Sequence, residues 1–273
     1  MPYLGKPQST SNPEIIRTTA LLRIVGGRLG VETRFQFGKK IDNELAKRGY
    51  ASSTQSGHWY GYIGGIRSLS QSRDRLLDSL NVIFSDANDL YLNGSSDLWT
   101  ALWGGIDRLW ALCRTQYSNL GPFIDDEAWG TSDKTHNRSF AETLRVFEAE
   151  LLFAEAYGEP LTIRHLTEAI SLYRLHRHLD EVTHIPLDCV SAYRCIWMCL
   201  EDISIWSVLD ELGIFNSVKN LLIAMETDRL EISARYRTAI GIEQHLIYLF
   251  VEDPFSWFPA DARWDTVQPA EVI

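Results

Sequence analysis

The chain has 273 residues, of which 45% are hydrophobic, and it includes 9 Trp, 11 Tyr and 11 Phe. This apolar content is enough for a packed core and excludes disorder over most of the length. No apolar run reaches the about 18 residues that a membrane span needs. The N-terminus also lacks the pattern of a secretory signal. The sequence therefore predicts a soluble, cytoplasmic protein with no membrane association.

The charge is distributed unevenly along the chain. Residues 1–80 contain 12 Lys or Arg and 6 Asp or Glu, whereas residues 81–273 contain 14 and 30. The two balances, +6 and −16, add up to the total of −10. Such an asymmetry is typical of a chain in which one segment meets a polyanion. We expect a basic N-terminal helical region over residues 1–92, packed on or linked to an acidic, Trp-rich helical domain over residues 93–273.

Apolar residues recur at helical spacing almost throughout, which predicts a mostly α fold. In the N-terminal region, Asn12-Pro13-Glu14 has the pattern of a helix start. A further helix is expected from about Glu32 to Arg48, ended by Gly49, and another from about Ser70. In the helix from Glu32 to Arg48, three residues are expected to face inward: Phe35, Ile41 and Leu45. The expected outward-facing residues are Lys39, Lys40, Lys47 and Arg48.

The C-terminal region shows the same periodicity. Residues 98–110 predict one broad apolar helix face, a capping box at Ser139–Glu142 predicts a helix start, and Thr162 is expected to open another helix. Pro186 is expected to open a long helix that passes Ile203 and ends at Gly213. Residues 246–251 fit a helix or a strand equally well.

One segment has an aromatic residue, a glycine and an arginine at a characteristic spacing. Tyr62 is followed by Gly65, Arg67 and Ser70, with Leu69 at a place where proline is common. Over residues 38–80 the chain resembles the end of a helix-turn-helix in the phage-repressor-type regulators, the xenobiotic-response-element family. By this resemblance the glycine permits a left-handed turn, the serine caps the next helix and the aromatic residue packs the turn onto the core.

The resemblance implies DNA binding and, with it, regulation of transcription. The recognition helix would span about Thr54–Tyr62 and enter the major groove. Gln55, Ser56 and His58 would face base edges, because short polar side chains hydrogen-bond to them. Contacts with phosphates are expected from Lys39, Lys40, Lys47, Arg48, Arg67, Arg73 and Arg75. The alternative is an ordinary helix-turn-helix corner with a solvated basic face.

Two further groups of residues, one of histidines and one of cysteines, do not by themselves indicate a function. His176, His178, Asp180 and His184 are either metal ligands or part of a solvated helix face with local ion pairs. The four cysteines form no Cys-x-x-Cys pair and are expected to be buried, reduced thiols. We predict no cofactor and no catalytic residue.

Three functions therefore stand open at the level of sequence. The favoured one is a DNA-binding protein whose C-terminal domain forms a homodimer or holds a protein partner. The second is a helical protein-interaction component without nucleic-acid contact. The third is an enzyme with an unrecognised site.

Overall fold

The computed structural model describes residues 11–50, 59–72, 76–113, 133–183, 189–232 and 243–255. Every regular element in these ranges is a helix, so the mostly α fold is confirmed. The chain forms two compact units, residues 1–220 and residues 221–273. None of the described helices is both long and apolar enough to cross a membrane.

The first unit begins with short and medium helices joined by tight turns. Their bounds are α1 (Pro13–Arg28), α2 (Arg34–Lys47), α3 (Tyr60–Ile63), α4 (Leu76–Ile83) and α5 (Ala87–Leu92), with a 3-10 turn at Leu69–Gln71. A second 3-10 turn, Ser95–Asp97, leads into α6 (Leu98–Trp103) and α7 (Ile106–Leu109), which is followed by a third at Trp110–Leu112.

Longer helices follow. They are α8 (Asp133–Tyr157), α9 (Ile163–Thr183), α10 (Cys189–Glu201), α11 (Ile203–Glu211) and α12 (Phe215–Ile232). In the second unit, a 3-10 turn at Gln244–Leu246 precedes α13 (Ile247–Glu252). The segment around residues 246–251, which fitted a helix or a strand, is therefore helical.

The start of α1 follows the sequence, but the inward face of α2 differs from the prediction. Oδ1 of Asn12 accepts a hydrogen bond from the Glu14 amide at 3.0 Å, as expected of an N-cap. In α2 the buried series is Phe37, Ile41 and Leu45, whereas Phe35 is 57% exposed. The prediction that Phe35 faces inward is wrong, because the spacing of four residues from Phe37 to Ile41 and Leu45 defines the apolar stripe.

The core of this region surrounds a buried tryptophan. Trp59 contacts Phe37 edge-on with ring centroids 5.4 Å apart, and it contacts Tyr62 at 6.4 Å. The cluster extends to α1 through Leu21, Leu22 and Val25. Edge-to-face contacts of this kind stabilise a core beyond the area they bury, so α3 is firmly seated on α2 although it has one turn only.

The boundary predicted near residue 92 lies inside the first unit, at a packed turn. The indole Nε1 of Trp99 donates to the carbonyl of Leu90 at 3.2 Å. Gly94 has φ +78°, and a methyl group at this position would lie 2.8 Å from Nε1 of Trp99. Only glycine fits this turn, because the ring of Trp99 lies directly against its Cα.

Two helices that the sequence joins are broken in the structure. The apolar run 98–110 divides at Gly104, where the backbone is extended. The long helix expected from Pro186 to Gly213 ends at Glu201, because Asp202 has extended backbone and caps α11. Its Oδ1 accepts hydrogen bonds from the amides of Ser204 at 2.8 Å and Ile205 at 3.2 Å. Pro186 itself lies outside the described residues.

The start of α8 also differs from the prediction, whereas the start of α9 agrees with it. α8 begins at Asp133, so Ser139 lies inside the helix and does not open it. Thr162 directly precedes α9, which packs against α6, α7 and α10. The side chain of Arg174 on α9 donates to the carbonyls of Ala101 at 2.7 Å and Gly104 at 2.8 Å, which ties α9 to the end of α6.

Candidate nucleic-acid interface

The solvent face of α2 carries lysine side chains. Thr33 caps this helix, since its Oγ1 accepts a hydrogen bond from the Gln36 amide at 3.2 Å. Because Phe37, Ile41 and Leu45 point into the core, the opposite face is exposed to solvent. That face presents Phe35, Lys39, Asn43 and Lys47, which follow one another at steps of four residues.

Two arginines lie along α3. A methyl group at Gly61 would lie 3.2 Å from Cδ of Arg67, and one at Gly64 would lie 3.5 Å from Nη1 of Arg34. Gly61 lies in α3 and Gly64 follows it as the C-cap. Because they are three residues apart, the two glycines lie on the same side of this turn. We refer to Gly61, Gly64, Arg34 and Arg67 as the glycine–arginine strip.

The strip is held on a rigid base. Gly65 has φ +73°, and the amides of Ile66 and Arg67 donate to the carbonyl of Gly61 at 2.9 and 3.1 Å. Two residues after Arg67, the amide of Leu69 donates to the buried Oγ1 of Thr18 on α1 at 2.9 Å. The left-handed turn expected at Gly65 and the burial of Tyr62, which is 5% exposed, agree with the prediction from sequence.

The expected capping role of Ser70 is wrong. Ser70 lies within the 3-10 turn Leu69–Gln71, and its hydroxyl is 3.1 Å from that of Ser68. Ser72 has ψ 120°, which is extended backbone, so no helix begins at Ser70. α4 is described from Leu76 onward.

The predicted phosphate-binding cations differ in their environments. Lys40 donates to the carbonyls of Leu29 at 2.7 Å and Gly30 at 2.8 Å, so it caps the C-terminal end of α1. Lys39 and Arg67 are exposed to solvent. The role of Lys40 is thus structural, whereas Lys39 and Arg67 present their charge to solvent.

Lys47 and Arg48 share one carboxylate. Nζ of Lys47 lies 2.6 Å from Oε1 of Glu44, and Nη1 of Arg48 lies 2.8 Å from Oε2. The hydrogen bond from Lys47, and then the one from Arg48, lower the pKa of Glu44. Exposed ion pairs of this type are weak, so a phosphate can compete with Glu44 for either cation.

The remaining predicted contacts lie outside the described residues. These are the base-facing candidates Gln55, Ser56 and His58 and the phosphate-binding candidates Arg73 and Arg75. Of the expected recognition helix, residues 54–62, the structure describes residues 59–62.

Of the histidine group near the end of α9, the structure describes the side chains of His176 and His178. His176 is 1% exposed, and its Nδ1 lies 2.8 Å from the carbonyl of Leu172 in the preceding turn of α9. His178 is partly buried, while Asp180 and His184 lie outside the residues whose side chains are described. Within the described part of the chain, no group of three or more His, Cys, Asp or Glu side chains is placed to hold a metal ion.

A hydroxyl, an imidazole and a carboxylate meet at the start of α9, but they form a helix cap. The Thr162 amide and its Oγ1 both lie 2.9 Å from Nδ1 of His165, and Nε2 lies 3.3 Å from Oε1 of Glu150. Since the amide can only donate, Nδ1 accepts and Nε2 carries the proton toward Glu150. The lone pair that a general base needs is thus bound to backbone, as in a capping box.

Sequence reasoning did not find Arg34 or the glycines as parts of a site. Part of the signal was present at Gly61, where a methyl group would crowd the Arg67 side chain. Comparison with known proteins adds no family assignment: no family model, no curated protein and no solved structure matches the chain.

Proposed function

We propose that the chain binds DNA through a basic surface composed of the glycine–arginine strip and the solvent face of α2. The observation that carries the proposal is the placement of the Arg67 and Arg34 side chains beside Gly61 and Gly64. A guanidinium binds phosphate through two parallel hydrogen bonds. The Arg67 side chain lies close to the α3 backbone because Gly61 has no Cβ. Lys39 and Lys47 extend the positive charge along α2.

Phosphate contacts of this kind supply affinity and orientation without reading a base sequence. A sequence-specific site would require base-edge contacts, for which Gln55, Ser56 and His58 remain the predicted residues. The more specific proposal is that the chain is a helix-turn-helix regulator of transcription. It rests on the resemblance of residues 38–80 to the phage-repressor-type regulators.

Binding of a fluorescein-labelled random duplex of about 20 base pairs, two helical turns, tests the proposal. We expect detectable binding by the full chain at low salt. Arg67→Ala should weaken it about fivefold to tenfold, since one phosphate contact is lost. The matched control is Arg108→Ala, which removes an exposed arginine from α7 with the same change in net charge and should leave the affinity unchanged.

Two results would oppose the proposal. One is the absence of binding by the wild-type chain at low salt. The other is an equal loss for Arg67→Ala and Arg108→Ala, which would indicate general attraction to positive charge and no defined surface. The absence of binding would favour the alternative of a protein-interaction component, whereas an equal loss would remove the assignment to this surface.

A further inference from the structure

Two segments of the first unit, the end of α8 and the start of α11, expose large apolar side chains. Phe153 and Tyr157 on α8 are 63% and 77% exposed, and Ile203 and Trp206 on α11 are 71% and 40% exposed. Single exposed apolar residues are ordinary, but grouped ones mark interaction sites. We call these four side chains the apolar patch.

The two residues on α8 form an exposed pair of stacked aromatic rings. Leu144, Phe147, Leu151 and Ala154 form the buried stripe of this helix, so the side chains at 153 and 157 lie away from the core. The rings of Phe153 and Tyr157 stack with centroids 6.3 Å apart and planes 17° from parallel. A stacked pair loses little conformational entropy on binding, because the two rings already restrict each other.

The two residues on α11 are likewise directed by local packing. Ile205 and Leu209 are buried, which turns Ile203 and Trp206 outward. The ring of Trp206 rests edge-on against Phe215 with centroids 6.3 Å apart and planes at 68°. Trp206 is thus a supported aromatic anchor of the kind that dominates binding energies at interfaces.

One hydrogen bond joins the segments that carry the two pairs. The amide of Leu161, in the connection after α8, donates to Oδ2 of Asp202 at 3.3 Å. Through its other oxygen Asp202 caps α11, directly before Ile203. This hydrogen bond brings the connection that follows Tyr157 next to the start of α11 at Ile203.

The segments around the patch are strongly acidic. Residues 153–163 and 201–218 contain no Lys, Arg or His, although Arg164 and Lys219 directly follow these segments and Arg23 interacts with the Asp210 carboxylate. Their carboxylates are Glu155, Glu159, Glu201, Asp202, Asp210 and Glu211, and all except Asp202 are exposed. An apolar centre with a predominantly acidic rim favours a partner that carries positive charge beside its apolar groups.

We propose that the apolar patch is the docking site for a cationic amphipathic helix of a partner protein. Its apolar face would cover Phe153, Tyr157, Ile203 and Trp206, and its Lys or Arg side chains would reach the surrounding carboxylates. This mode of recognition places an apolar helix stripe against a preformed apolar surface. The inference does not rest on the proposed DNA binding, since none of the four side chains belongs to the glycine–arginine strip or to α2.

The test uses a labelled synthetic peptide of about 14 residues, four helical turns, built from Leu on one face and Lys on the other. Fluorescence anisotropy measures its binding to the full chain at physiological salt. We expect Tyr157→Ser with Ile203→Ser to weaken binding about tenfold or more. Circular dichroism checks that this variant remains folded, as expected for changes at exposed positions.

The matched control is Leu92→Ser, which removes another large exposed apolar side chain, 49% exposed, from the same unit. It should bind the peptide like the wild type, and a peptide with Glu in place of Lys should not bind. Equal binding by the patch variant and the wild type would overturn the proposal, because attraction would then come from net charge alone. No binding by the wild type would overturn it as well.

A second copy of the chain is the competing occupant of the apolar patch. A dimer that forms with rising concentration and is lost in the patch variant, measured by light scattering, would assign the patch to a second copy of the chain and overturn the cationic-helix proposal. DNA affinity measured in the same variant should be unchanged, so the two proposals can fail separately.

Discussion

Arg28 and Asp86 form a two-pronged ion pair between α1 and the start of α5. Nη1 and Nη2 of the arginine lie 2.6 Å from Oδ1 and Oδ2 of the aspartate. The residues are 58 positions apart in sequence, and the pair therefore fixes a long-range contact. It also uses one of the basic residues that give the N-terminal third its positive charge.

The pair predicts a pH-dependent contribution to stability. The hydrogen bond from Arg28 lowers the pKa of Asp86 in the folded state. A lowered pKa stabilises the fold above the pKa of an unfolded aspartate, about 3.9, and this contribution is lost as pH falls through the folded value. Because both side chains are more than a third exposed, we expect Asp86→Asn to lower the free energy of unfolding by less than about 1 kcal/mol at neutral pH.

Urea unfolding of wild type, Arg28→Gln, Asp86→Asn and the double variant isolates the pair as a double-mutant cycle. The coupling should be present at neutral pH and vanish in acid, where Asp86 is protonated in both states. A coupling that does not change with pH would show that the charge of Asp86 is irrelevant.

Substitutions of two neighbouring lysines on α2 should have different effects, one on the stability of the fold and the other on DNA binding. Lys40 holds two carbonyls at the end of α1, whereas Lys39 faces solvent. We expect Lys40→Met to lower the free energy of unfolding by about 1 kcal/mol. Lys39→Met should change it by less than about 0.5 kcal/mol but should weaken DNA binding. Chemical denaturation and anisotropy measure the two effects, and a reversed pattern would contradict the assignment of either lysine.

The second unit contains a buried ion pair whose disruption should be severe. Glu226 and Arg229 on α12 are 0% and 4% exposed, and Nε of Arg229 lies 2.7 Å from Oε2 of Glu226. Glu226→Gln leaves a buried guanidinium without its carboxylate, which costs about 3 kcal/mol. Hydrogen exchange over residues 221–232 should accelerate accordingly, while the exposed Asp228→Asn should leave exchange near the wild-type rate. Equal protection in both variants would show that the pair contributes little.

The buried cysteines should resist alkylation. Burial raises the pKa of the Cys113 and Cys199 thiols well above the usual value, and the carboxylates of Asp202 and then Glu168 raise that of Cys199 further. Since the thiolate is the reactive form, iodoacetamide at neutral pH should label neither residue in the native chain and both in urea. Native labelling of either, detected by peptide mass spectrometry, would place that thiol in contact with solvent.

Local signals in the sequence predicted helix type and several helix ends. Asn12 caps α1, Thr162 precedes α9, and Gly49 follows α2 with φ +80°. These succeed because a cap or a left-handed glycine is decided by atoms within a few residues. The predicted inward face of α2 was wrong at Phe35. Phenylalanines stand on both sides of Gln36 and are equally apolar, so only the spacing of four residues to Ile41 favours Phe37 as the buried one.

The features that the sequence did not predict depend on contacts between distant segments. Lys40 looks like any solvent-facing lysine until the end of α1 is known to lie beside it. Asp202 follows Glu201 in an apolar run, and only its hydrogen bonds show that it ends one helix and begins another. The meeting of Arg34 with Gly64 depends on α3 packing on α2.

The salt dependence of DNA binding tests the central claim most directly. The logarithm of the binding constant falls with the logarithm of salt concentration by about 0.9 for each phosphate neutralised. If Arg34 and Arg67 each bind a phosphate, the slope of Arg34→Ala with Arg67→Ala should be shallower than that of the wild type by about two. Identical slopes for the two proteins would contradict the assignment of DNA binding to the glycine–arginine strip.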